Sequence, residues 1–378
     1  MDPRSLAAYS IVEASREHFR RQGDGSNFAT CNLEMLVSRL PALQAWHPAA
    51  IIYALLPLAA DRILWNFDES EDPVEVFQQF VMHCTKTSKS LDIICRPWAP
   101  KTGTRTTADG VPQYGTLPKR EKLPSWIRQV NHLPFGGGSK TGRKNGDLFI
   151  GQPNRPYYSA AVGSIATPIL GHVDEDGERV LDRSMSVSGF VVGEIADIRG
   201  RSQDGTLPTE WIEMFGWPAG GMAYGNDFDA DFVPDHLWRT LVADRGPGGT
   251  PAPLWYHQAC RHWLSQYPDG DITTSLIRDR PHSSMALEFI QRVRSVIWNR
   301  TLFTITDTLG RTLFGLGPAE IGRRHTICIL HGCSVPVVLE QVKNAWTLVG
   351  ECFVYGIMDG ELMQMSEYTS KTQEFLLL

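Results

Sequence analysis

A chain of 378 residues has room for two to three domains of ordinary size, and 42% hydrophobic with 21% charged residues is the composition of a folded protein with a large core, which excludes global disorder. The formal net charge of −6 excludes a polyanion-binding role for the molecule as a whole. The seven cysteines are odd in number, form no CxxC pair and sit mostly in apolar runs, the usage of reduced, buried thiols and not of a disulfide framework.

The first 22 residues are predicted to form one amphipathic helix ended by Gly23-Asp24-Gly25-Ser26. They carry charges throughout and lack the apolar stretch of a signal peptide. Asn32 is placed to cap a helix in which Leu33, Leu36, Val37 and Leu40 share one face, with Pro41 disrupting it. Pro48 opens the next helix, with Ile51, Ile52, Leu55 and Leu56 facing inward. The apolar run from Ala49 to Ala60 contains Pro57 and falls short of the roughly 20 residues a membrane span needs, so no membrane is expected and the expected location is cytoplasmic. Asp72-Pro73-x-Glu75 starts a third helix with a cap, a first-turn proline and an acid at N3; Val74, Phe77, Phe80, Val81 and Cys84 are its buried stripe.

Prolines and glycines then punctuate 96–125, and Phe135 leads into Gly-Gly-Gly-Ser139. Residues 101–144 hold nine Lys/Arg against two Asp/Glu, a surplus of seven that leaves the rest of the chain near −13. Met185–Ile198 has strand composition, with Met185, Val187, Val191 and Ile195 expected on one face. Helical stripes return at Leu237/Trp238/Leu241/Val242, around Trp255–Trp263, and at Phe289/Val293/Val296/Ile297. Strands are expected at about 301–306, 311–315, 325–331, 334–340 and 346–357, forming a small curled or closed antiparallel sheet under the 284–299 helix, joined by the 185–198 strand. No repeat of solenoid length recurs.

The fold class is therefore expected to be α+β, with an N-terminal helical subdomain, a loop-rich middle and a small C-terminal β-meander or barrel-like sheet covered by a helix. The expected division is 1–29 as an N-terminal helix or tail, 30–95 as the helical subdomain, 96–180 as a Pro/Gly-rich, locally basic connection, 181–300 as mixed strand and helices, and 301–378 as the C-terminal β domain.

Four patterns carry possible chemistry. His325-x2-Cys328-x2-His331-x-Cys333 has metal-ligand residue types, but in a strand the two histidines lie about 20 Å apart. One ion with ligands at about 2 Å does not reach both, and Cys328 points to the other face, so no metal is expected. Gly137-Gly-Ser-Lys-Thr-Gly142-Arg143-Lys144 puts Arg143 where a phosphate loop needs lysine, and a basic loop is expected instead of a nucleotide site. Asp227-Phe-Asp229-Ala-Asp231 begins like a calcium loop but has Phe232 and Trp238 where glycine and glutamate belong, and reads as an acidic turn before a helix. The basic segment 101–144 carries Trp126 and Phe135, residue types that hold single-stranded nucleic acid, yet its prolines and glycines suffice to make it a solvated loop. Nucleophile elbows, zinc-protease and dinucleotide fingerprints are absent from the sequence, so no catalytic, cofactor or metal residues are assigned.

From Phe289 to Glu361 an amphipathic segment is followed by Ile327-Cys-Ile-Leu330, Gly332-Cys-Ser-Val-Pro336, Val349-Gly-Glu351 and Gly356-Ile-Met-Asp-Gly-Glu361. This order and spacing resembles the C-terminal region of fungal heterokaryon-incompatibility (HET-domain) proteins. Ile52-Tyr-Ala-Leu-Leu56-x-Leu-Ala59, Leu91-Asp-Ile-Ile-Cys95-x-Pro-Trp98, Leu123-Pro-Ser-Trp-Ile127, Leu237-Trp-Arg-Thr-Leu-Val-Ala-Asp244 and Val296-Ile-Trp-Asn-Arg300 extend the resemblance over most of the chain after about residue 45. The family's N-terminal signalling motifs are not found in this sequence, and Arg323-Arg324-His325 stands where Gly-Asp usually opens the cysteine-bearing strand. The resemblance implies a non-enzymatic recognition or regulatory role in vegetative incompatibility and cell death, without the effector HET domain, and protein partners that include HET-domain relatives. From the charge balance and the failed motifs, no cofactor and no nucleic-acid partner are expected. The alternatives are a hydrolase-like enzyme with a site between the helical region and the β domain, or a fragment without function.

Overall fold

The structure is a computed structural model that describes residues 19–21, 27–39, 48–61, 72–100, 102–103, 117–118, 122–130, 147–173, 179–217, 233–266, 271–273, 277 and 282–378. Helix α1 (Leu33–Arg39) starts where Asn32 predicts: its side-chain oxygen accepts from Met35 N at 3.0 Å, and Leu33, Leu36 and Val37 are fully buried. Leu40 lies outside the described residues. Helix α2 (Ala50–Leu55) buries Ile51, Ile52 and Leu55 and runs into a tighter turn at Leu56–Leu58, where Pro57 cannot donate to the helical ladder. Helix α3 (Pro73–Ser88) has Asp72 as its cap, accepting from Val74 N at 3.0 Å, and the whole predicted stripe from Val74 to Cys84 is buried. These helices share one core with Ile93, Ile94 and Trp98, whose indole stands edge-on to Phe77 and Phe80.

The predicted first helix needs correcting at its end. Phe19–Arg21 is strand β1, paired antiparallel with β2 (Asn27–Ala29), because a partner strand this near in sequence satisfies the backbone as a hairpin. Residues 1–18 lie outside the described residues. A short parallel pair joins β3 (Thr102–Gly103) to β4 (Leu117–Pro118).

Strand β5 (Ile169–Val173) and the 23-residue β6 (Arg179–Arg201) enter the main sheet. After α4 (Thr209–Met214), α5 (Asp235–Leu241), α6 (Trp255–Gln266) and α7 (Ser284–Ile297) come β7 (Thr301–Asp307), β8 (Thr312–Gly317), β9 (His325–Leu330), β10 (Val337–Val342), β11 (Ala345–Glu351), β12 (Phe353–Val354), α8 (Ser366–Thr369) and β13 (Gln373–Leu377). The chain is α+β, with N-terminal helices and a C-terminal, mostly antiparallel sheet.

The pairings run in a ring: β6 to β9, β9 to β10, β10 to β11, β11 to β13, and β13 back to β6. The β11–β13 pair is parallel. Long β6 makes this possible by changing partners along its length. Gly189 has Gln373 on one side and Leu330 on the other, and Gly193 has Ile327 and Asp307. A Cβ at Gly189 would lie 2.4 Å from Ile329 O, and one at Gly193 would lie 2.3 Å from Thr306 O, so glycine is what lets the strands approach.

One face of the ring, through Met185, Val187, Cys328, Leu330, Leu348 and Phe375, joins the core of the helical layer. The other packs Phe190, Val192, Ile327 and Ile329 against Phe303, Ile305 and Tyr368. Strand β9 is buried on both faces, hence its unbroken apolar run. The expected alternation fails at Ile195. A bulge between Val191 and Gly193 adds one residue against β9, so Ile195 joins the face of Phe190 and not that of Met185. Helix α7, capped by Ser283, lays Phe289, Val293, Val296 and Ile297 into the core shared with Leu302 and Leu316, as expected of a covering helix.

Candidate functional site

Where the helical layer meets the ring, a cleft of about 250 Å³ opens between segment 147–158, Gly248 and the Arg292–Val296 face of α7. Its wall is held by a buried ion pair. Glu351, at the end of β11, accepts from Phe149 N at 3.0 Å and from Ile150 N at 3.3 Å, and pairs with Arg300 at 3.0 Å. The side chains of Arg300 and Glu351 are only 6% and 7% exposed. Arg300 also donates to Asp147 O at 2.6 Å and lies 3.6 Å from the centre of the Phe149 ring. On the far wall Arg292 reaches the Asp147 carboxylate at 3.3 Å and Arg245 O at 2.8 Å.

Tyr158 closes the back. Its hydroxyl donates to Ala243 O, and its ring lies under the Arg245 guanidinium at 4.3 Å. Burial pushes its pKa well above the usual tyrosine range, so it stays a donor. Arg245 forms two hydrogen bonds to Asp359, at 2.7 and 2.8 Å, tying the segment after α5 to the C-terminal region. The polar lining consists of Asp147, Gln152, the two tyrosines and Arg292, with no Ser, Thr, Cys, His or Lys among the described lining residues.

Residues 304–378 match the family model of the Het-6 beta-barrel domain. The C-terminal part of this chain is a heterokaryon-incompatibility-type region. No curated protein and no solved structure is matched by the chain. The Het-6 match begins inside β7, so β6, which the ring needs twice over, lies upstream of it.

The motif residues of the resemblance are brought together mainly as ties. Glu351 and Arg300 are the pair described above. Ser125 donates through both its amide and its hydroxyl to Leu378 O, the amide at 2.7 Å, and accepts from Leu348 N at 2.9 Å, pinning segment 122–130 to the end of the Het-6 barrel strands. Asp92 accepts from Ser334 N at 2.7 Å in the turn between β9 and β10. Arg96 pairs with Glu34 at 3.0 Å and donates to Gly151 O at 2.6 Å, on the cleft wall. None of these pairings is visible in spacing along the chain, since their partners lie 51 to 253 residues away.

The histidine–cysteine pattern is not assembled as a ligand set. His325 Nδ1 accepts from Gly322 N at 3.0 Å, and His331 sits in the turn with its amide donating to Ser188 O. Burial holds both imidazoles below the usual histidine value. Among the described residues no group of three or more His, Cys, Asp or Glu is arranged to hold a metal. The glycine-rich segment 137–144, the acidic run 227–231 and Phe135 lie outside the described residues. Trp126 is fully buried, so its ring is not available as a stacking platform.

All seven cysteines are buried, and none is in a disulfide. Burial pushes the Cys328 thiol far above its ordinary range, which removes the reactive thiolate. Cys328 is expected to resist a thiol reagent in the native protein and to label only on unfolding, read by mass spectrometry of its peptide. Rapid native labelling would contradict its burial.

Proposed function

We propose that this protein acts in fungal heterokaryon incompatibility as a recognition or regulatory protein that works by binding partners rather than by chemistry. The Het-6 barrel match carries this reading. The character of the cleft supports it: its charged groups are engaged in ties between segments, and it offers no nucleophile paired with a base. The partners proposed are proteins, among them HET-domain relatives, and the proposed location is cytoplasmic. No helix among the described residues is long and apolar enough to cross a membrane. The second reading, a hydrolase-like enzyme, draws on the same cleft and requires Asp147 or Tyr157 to act on a bound substrate.

The surface proposed to meet a partner includes the rim between β8 and β9. Arg323 is 70% exposed there and reaches Asp197 at 2.8 Å. Pull-down from fungal extract with the full chain is expected to capture protein partners. Arg323→Asp with Arg324→Asp should change the association rate and its salt dependence more than thermal stability, because rim charges act mainly on encounter and the exposed Arg323–Asp197 pair contributes little. Unchanged capture by this variant would remove the rim from the proposal. Turnover of a hydrolase substrate panel by wild type, abolished in Asp147→Asn, would favour the enzyme.

A further inference from the structure

The helical layer meets the ring through a buried group of charges that does not balance. Glu34 on α1 pairs with Arg96 at 3.0 Å, and both side chains are 5% exposed. Asp92, also buried, faces the same guanidinium electrostatically while its oxygen holds Ser334 N at 2.7 Å. Asp61 adjoins them, taking Leu33 N at 2.7 Å on one oxygen and His83 Nε2 at 2.9 Å on the other. The groups facing this cluster are Glu34 from α1, Asp61 from the segment after α2, His83 and Cys84 from α3, Asp92, Cys95 and Arg96 from the turn that follows, and Cys333 from the ring. Among the described residues of this set Arg96 is the sole permanent cation, set against three carboxylates. Unbalanced negative charge in a dry site is relieved by taking up protons.

We propose that Glu34, Arg96 and Asp92 form a proton-operated latch that docks the helical layer on the ring and, through Gly151, on the cleft wall. Geometry makes it a latch. Each member bridges separate parts of the fold: Glu34 to the 92–96 turn, Arg96 to segment 147–158, and Asp92 to the β9–β10 turn. Desolvation, which outweighs the attraction of Arg96, raises both Glu34 and Asp92 above the usual carboxylate range. The docked state therefore holds protons that the undocked state releases. Docking is tightest below the ordinary carboxylate pKa and weakens as pH rises through the docked values. Asp61 has the opposite sign. Burial works to raise it, but His83 and Leu33 N together hold it below its usual value, so its contribution is lost only on the acidic side.

Native-state amide exchange of the full chain, corrected for intrinsic rates, tests this from the ordinary carboxylate range, about pH 4, up to about pH 8. Protection of α1 and α3 is expected to fall with rising pH, by up to about tenfold per pH unit for each proton released, while β9 and β10 stay protected. Asp92→Asn keeps an acceptor for Ser334 N but cannot ionise, and should reduce the slope; Glu34→Gln should do the same, and the double variant should flatten it. Asp61→Asn should leave the neutral-side slope intact. An undiminished slope in Asp92→Asn, a slope that survives the double variant, helical protection independent of pH in wild type, or equal loss in helices and ring would each overturn the latch.

Discussion

Replacing Glu351 by alanine is expected to destabilise the protein by about 3–5 kcal/mol, a large part of the roughly 5–15 kcal/mol that holds a typical domain folded. The substitution strands Arg300 as an unpaired buried charge and leaves Phe149 N and Ile150 N without acceptors. The cleft wall loses its attachment to β11 at the same time. Glu351→Gln, which retains one acceptor oxygen, should cost less, about 1–3 kcal/mol. Replacing both partners, Glu351→Leu with Arg300→Met, should recover part of the alanine loss, because no bare charge remains. Urea unfolding followed by circular dichroism gives these differences. A Glu351→Ala midpoint within error of wild type would show that the pair does not hold the 147–151 segment.

Valine at Gly193 is expected to be at least as damaging, at about 3 kcal/mol or more, or to prevent folding. Its Cβ would fall 2.3 Å from Thr306 O, and the next nearest atoms, Asp307 Cα and Thr306 C, are also backbone, so no side chain is free to move aside. Gly189 meets β9 in the same way at 2.4 Å. Gly310 is the control. It has φ of +79°, yet a Cβ there meets nothing within 4 Å, so Gly310→Ala should cost only the left-handed backbone penalty, about 1–2 kcal/mol. Equal effects at positions 193 and 310 would mean that conformational freedom, and not close strand approach, explains Gly193.

The elements of this fold were legible wherever local chemistry determines them. Asn32 and Asp72 announce their helices because a cap acts within three residues, and the stripe from Val74 to Cys84 needs only the helical period. The strands from Thr301 to Val354 show in their apolar runs and turn residues. Strand β13 did not, because Gln373-Glu-Phe-Leu-Leu377 is half polar and gains its identity from Met185–Gly189 across the ring. The Ile195 reversal was hidden because a one-residue bulge leaves composition unchanged. The candidate site was the least legible part. Glu351 and Arg300 could be named as motif residues, but their union across 51 residues, and that of Asp92 with Ser334 across 242, is a product of the tertiary fold.

Expression of residues 1–378 in a fungal host, with growth scored for the chain alone and together with a HET-domain relative, tests the proposed role most directly. Recognition without chemistry predicts normal growth with the chain alone and altered toxicity of the relative on co-expression, through competition for shared partners. Strong growth arrest from the chain alone, abolished by Asp147→Asn in the cleft, would contradict the binding role and put an enzymatic activity in its place.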